Sequence, residues 1–114
     1  MNALDREAYV QAVLDLYQRL PGTATRPRPA DRSLAAELYS RGIRFDVVEI
    51  ALRLAVARRV ARPPDAPPLP PVRSLHYFLP VIAELPPGPP PQGYLDYLRE
   101  LLPLGAGPKN DVSR

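Results

Sequence analysis

The chain has 114 residues, 46% of them apolar, which is enough for one domain with its own core. It has no cysteine, and this excludes disulfides, thiolate catalysis and a cysteine-ligated zinc. The net charge of +3 rests on fourteen arginines and one lysine, Lys109; the excess fits either phosphate recognition by guanidinium forks or the bias that also enriches alanine and proline.

Seventeen prolines set the architecture. They cluster at 21–29, 63–71, 86–91 and 103–108, with Pro80 alone. Proline has no amide donor and clashes with the preceding turn, so each cluster ends a helix and each segment between clusters reads as one. The start, Met1-Asn2-Ala3-Leu4-Asp5-Arg6-Glu7, has no basic residues leading into an apolar run. No apolar stretch approaches the ~20 residues of a membrane span. A cytoplasmic protein is expected.

The first predicted helix covers about Leu4 to Leu20, with Val10, Val13, Leu14, Tyr17 and Leu20 on one stripe. Pro21-Gly22 stops it, and 21–30 reads as an exposed linker. A helical hairpin comes next, 31–41 and 47–62. Asp31 is its expected N-cap, and Gly42 its left-handed stop, with Ile43 packing back on Leu38. Asp46 and Glu49 are expected to form a capping box, with Phe45 and Ile50 as its hydrophobic staple. The second helix is apolar nearly all round, interrupted by Glu49, Arg53 and terminal arginines, so it belongs at the centre of the fold.

Residues 63–71 read as a polyproline strap. At ~3.1 Å per residue it is long enough to run back along the whole central helix. A helix over Val72–Leu85, capped by Ser74, is expected to kink at Pro80, freeing the carbonyl of His76. The last predicted helix spans Tyr94–Leu102, and 103–114 reads as a disordered tail. The expected fold is all-α: a single-domain bundle of about five helices over 1–102, with a buried central helix and proline-rich straps.

Chemistry is sparse. His76 is the single histidine, sits in a packing segment, and Ser74 stands two residues away, the wrong spacing for a shared helix face. A structural role is expected for it. Asp96 and Glu100 share a face without further metal-ligand residues, and no glycine loop cradles phosphate. No catalytic, cofactor or metal site is expected, and the chain reads as a non-enzyme. The hairpin invites comparison with helix-turn-helix units, but Val47, Val48, Glu49, Ile50 and Ala51 are apolar or acidic where base-reading side chains belong.

The candidate nucleic-acid contacts are instead Arg53, Arg58, Arg59 and Arg62, with Arg73 arriving after the strap. Tyr94, Tyr97, Leu98 and Leu101 are the candidate docking residues for a partner. Pro68-Leu69-Pro70-Pro71-Val72-Arg73 also matches a PxxP-x-basic ligand. The leading expectation is a small basic accessory module docking on a larger protein or nucleoprotein complex. Sequence-nonspecific binding to a DNA or RNA backbone is the alternative, and an enzyme the remote one.

Two resemblances are legible. Leu38-Tyr39-Ser40-Arg41-Gly42-Ile43 with Val48-Glu49-Ile50-Ala51-Leu52 resembles the helical repeat of RecX-type regulators over about fifteen residues. Leu20-Pro21-Gly22-Thr23, Asp31-Arg32, the Gly42 hairpin, Ala57-Arg58-Arg59 and Arg73-Ser74-Leu75-His76-Tyr77-Phe78-Leu79-Pro80 together are similar to a group of small bacterial proteins from mobile or accessory gene regions. That likeness covers most of the chain and carries no activity with it.

Overall fold

The computed structural model describes residues 5–23, 26–86 and 88–102; the expected tail lies outside them. Helix α1 (Arg6–Arg19) opens on Asp5, whose carboxylate accepts the Ala8 amide at 2.8 Å. Its end is closed by Thr23, whose hydroxyl reaches the Tyr17 and Leu20 carbonyls, each at 2.8 Å. The predicted stripe Val10, Val13, Leu14, Tyr17 and Leu20 is buried throughout.

Helix α2 (Pro29–Ser40) starts two residues before the expected Asp31 cap. Pro29 takes the first helical position, where its fixed φ suits a helix and its missing N–H costs nothing. Asp31 therefore sits one turn in and reaches back to the Arg28 amide at 2.8 Å. The stop is as expected. Gly42 adopts φ +76°, Ile43 N–H bonds the Leu38 carbonyl at 3.2 Å, and Gly42 N–H bonds that of Tyr39 at 2.9 Å. That pair of bonds is a Schellman closure.

Helix α3 (Phe45–Val60) also begins two residues early, after Arg44. The expected box between Asp46 and Glu49 does not form. The Arg44 fork holds Asp46 at 3.0 and 2.8 Å, and Glu49 is drawn into a buried ion cluster. The turn between α2 and α3 is pinned by Tyr9, whose hydroxyl donates to the Ile43 carbonyl at 2.8 Å. The Tyr9 ring meets Tyr39 and Phe45 edge-on. Helix α3 packs against α1, a 3₁₀ turn (Leu75–Phe78), α4 (Leu79–Glu84) and α5 (Tyr94–Leu101). Val48, Ala51, Leu52 and Val56 are inaccessible, so the centre of the bundle lies where the apolar run predicts. Its final turn emerges into solvent, with Val60 exposed.

The strap takes a different route from the expected one. It turns at once, Ala66 N–H bonding the Pro63 carbonyl at 3.0 Å, and stays at the C-terminal end of α3. Arg62 and Arg59 donate to the Pro67 and Pro70 carbonyls at 2.7 and 2.8 Å. Proline-flanked carbonyls lack the sheet or helix partners that would otherwise occupy them, and the guanidinium forks supply donors. Val72 N–H then bonds the Gly22 carbonyl at 2.7 Å, making an isolated parallel bridge between Thr23 and Val72.

The expected kinked helix at 72–85 is a 3₁₀ turn running into α4, and Pro80 lies in the first turn of α4 rather than inside a longer helix. The His76 carbonyl is not freed, because it accepts the Leu79 N–H. Three residues per turn put Leu75 and Phe78 on one inward face and leave His76 and Tyr77 outside. His76 is therefore exposed rather than packed in the core.

Candidate functional site

The five candidate arginines do not make one free patch. Arg53 is 6% exposed and donates to Glu49 at 2.8 Å and to the Leu102 carbonyl at 2.9 Å. Arg58 forks onto Glu84 at 3.1 and 3.0 Å. Arg59 and Arg62 clamp the strap, and the Arg59 guanidinium also lies 5.5 Å from the Tyr77 ring centroid. Arg73 is exposed one residue beyond the Val72 bridge. The buried position of Arg53 removes it from any phosphate-binding surface, because its charge is spent inside the fold. The PxxP-x-basic match is also compromised, since Val72 is buried and its amide is taken.

Glu49 is the feature that periodicity hides. At 5% exposure it receives Arg53, the Arg99 Nε at 2.9 Å and the Arg99 Nη2 at 2.9 Å. Burial pushes its carboxyl up, but the Arg99 fork and the single Arg53 bond together outweigh that and hold it below the usual carboxylate range. Arg99 lies 50 residues away in sequence, so no local spacing signals the pair. The cluster fastens α5 to α3.

On α5 the four candidate docking residues divide. Leu98 is buried, facing α3, and is not available to a partner. Tyr94 is half-buried beside a hollow of about 220 Å³ walled by Val47, Ile50, Leu85, Pro86, Pro90 and Pro91. Tyr97 and Leu101 stand 57% and 54% exposed. The Tyr97 ring stacks on that of Tyr94, with centroids 6.4 Å apart and planes 21° from parallel.

Ser74 and His76 come together, against the sequence expectation. As N-cap of the 3₁₀ turn, Ser74 Oγ accepts the His76 amide at 3.1 Å and lies 3.0 Å from the imidazole Nδ1. Asp31, 1% exposed, accepts the Leu75 amide at 2.9 Å and the Ser74 hydroxyl at 3.4 Å. The carboxylate thus serves the serine and the backbone, not the imidazole. The group ties the start of α2 to the 3₁₀ turn across 44 residues. Among the described residues, no group of three or more His, Cys, Asp or Glu is placed to hold a metal ion, and no helix is long and apolar enough to cross a membrane. Comparison with protein-family models, with curated proteins and with solved structures gave no match.

Proposed function

We propose that this chain is a non-enzymatic accessory module that docks on a larger protein or nucleoprotein complex through the outer face of α5. The observation that carries this reading is the pair Tyr97 and Leu101. They lie one helical turn apart and more than half exposed, on a short helix whose other side is fixed to α3 by Leu98 and the Glu49–Arg99 fork. An exposed aromatic beside an exposed leucine on a rigid element is the composition of an interface anchor. The non-enzymatic part is supported by the Ser74 group. Its hydroxyl caps a turn, and the neighbouring carboxylate is not placed to orient His76 as a base.

Phosphate binding by the arginine end is the competing reading, and internal pairing of Arg53 and Arg58 weighs against it. In-cell crosslinking in the native host, with and without nuclease, separates the two. Wild type is expected to retain its partners after nuclease, and a Tyr97→Ser/Leu101→Ser double variant to lose them. Retention by the variant, or loss of all partners from wild type on nuclease treatment, overturns the proposal.

A further inference from the structure

Two apolar patches are left over once the core is complete, and they carry opposite charge. On α5, Tyr97 and Leu101 stand beside Asp96 and Glu100, which recur at the same four-residue spacing on the adjoining face. The Asp96 side chain is 80% exposed, and its contact with Arg99 is long, 3.7 Å. At the C-terminal end of α3, a hollow of about 330 Å³ opens between helix and strap. Val60 and Leu69, 66% and 40% exposed, help wall it, and Arg59 and Arg62 line it. Arg59 and Arg62 are bonded to neutral partners, the Pro70 and Pro67 carbonyls and the Tyr77 hydroxyl, so these bonds leave their charge in place. Arg58 and Arg53, by contrast, face carboxylates.

We infer that the α5 face of one copy seats in the strap hollow of a second copy of this chain. Tyr97 and Leu101 enter against Val60 and Leu69, while Asp96 and Glu100 meet Arg62 and Arg59. The inference rests on the reading of α5 as the docking face, and self-pairing and docking on the larger partner then compete for that face. Charge selects this pairing over the alternatives: two α5 faces repel through their acidic edges, and two strap hollows through their arginines. Both surfaces are preformed. The strap is already held by two guanidinium clamps and α5 by the Glu49–Arg99 fork, so association orders little that is not ordered beforehand. Since the two patches differ, a single contact is heterologous, and it either repeats along a chain of copies or closes reciprocally in a two-fold pair.

Sedimentation velocity of the full chain from micromolar to submillimolar concentration tests this, at low and high salt. Self-association is expected, weakened at high salt because the rim charges are exposed. Leu69→Asp and Tyr97→Asp should each weaken it tenfold or more while leaving the circular dichroism melt within a few degrees of wild type. Mixing the two variants should restore association, because each retains the surface that the other lacks. Glu100→Arg should weaken it as well. A monomer at all concentrations, or a mixture of the two aspartate variants that stays monomeric, overturns the inference. The Leu69→Asp variant keeps α5 intact. If wild type is monomeric yet this variant still captures host partners through Tyr97 and Leu101, the pairing fails and the docking function stands. If capture is insensitive to Tyr97 and Leu101 as well, both fail.

Discussion

Glu49 concentrates more of the fold's electrostatics than any other carboxylate among the described residues, because two guanidinium groups close on it in a nearly dry site. Removing one partner of a buried pair leaves the other charge without compensation, which costs about 3–5 kcal/mol. Glu49→Gln is therefore expected to destabilise the chain by roughly that amount, read as a fall in the urea midpoint. The pH dependence has a definite sign. The folded carboxyl titrates below its ordinary value of 4.5, so the unfolded chain takes up the proton first as the solution is acidified. The Glu49 contribution is complete above that value and is lost as pH falls through the folded one. The stability gap between wild type and Glu49→Gln should thus be widest near neutrality and narrow on acidification; a gap constant from pH 7 to pH 3 would contradict the pairing. Asp46 moves in the same direction because Arg44 hydrogen-bonds it, so part of the acid loss persists in the variant.

The helices themselves are legible in the sequence because each obeys local rules. The α1 stripe, the Gly42 closure and the apolar α3 run come from spacing and from glycine's freedom at positive φ. The starts of α2 and α3 differ from expectation by two residues each, because an acidic residue inside the first turn has the same sequence signature as one that caps the helix from outside. Asp31 bonds the Arg28 amide from inside α2, and Asp46 pairs with Arg44 from inside α3. Pro80 misleads differently, since a proline that breaks a long helix and one that begins a short helix look alike in sequence. The structure makes the second the case, so Pro80→Ala should leave helix content unchanged and lower stability by about 0.4–1 kcal/mol through the freer unfolded chain. A rise in far-UV helicity, as if the 3₁₀ turn and α4 had fused, would show that the proline restrains a longer helix. The candidate site is legible only in part. Tyr94, Tyr97, Leu98 and Leu101 look alike in sequence, and the packing of α5 is what divides them into a buried Leu98 and exposed Tyr97 and Leu101, whereas Arg53 and Arg58 read as free because their carboxylate partners stand on other turns or other elements.

At the scale of the molecule, contacts distant in sequence gather on the strap and on the segments C-terminal to it. The Val72–Gly22 bond, the Asp31–Leu75 bond and the Arg99–Glu49 fork all join the second half to α1–α3. The strap's arginine clamps hold this return path, and the Val72 amide reports on it. An Arg59→Ala/Arg62→Ala variant is expected to exchange that amide at least tenfold faster than wild type while the α3 amides around Leu52 stay protected. Equal exchange at Val72 in the two proteins would show that the strap holds itself.

The Tyr9 hydroxyl bond to Ile43, with its edge-on rings, closes α1, α2 and the start of α3 into a unit drawn wholly from the N-terminal half of the chain. All of its residues precede the strap in sequence. Leu75 and Phe78 then arrive as a plug, Phe78 meeting Tyr17 edge-on. Read from the N-terminus, the chain thus supplies a three-helix socket first and its seal last, and a fragment ending within 61–71 would carry that socket open, with its greasy lining turned to the surroundings.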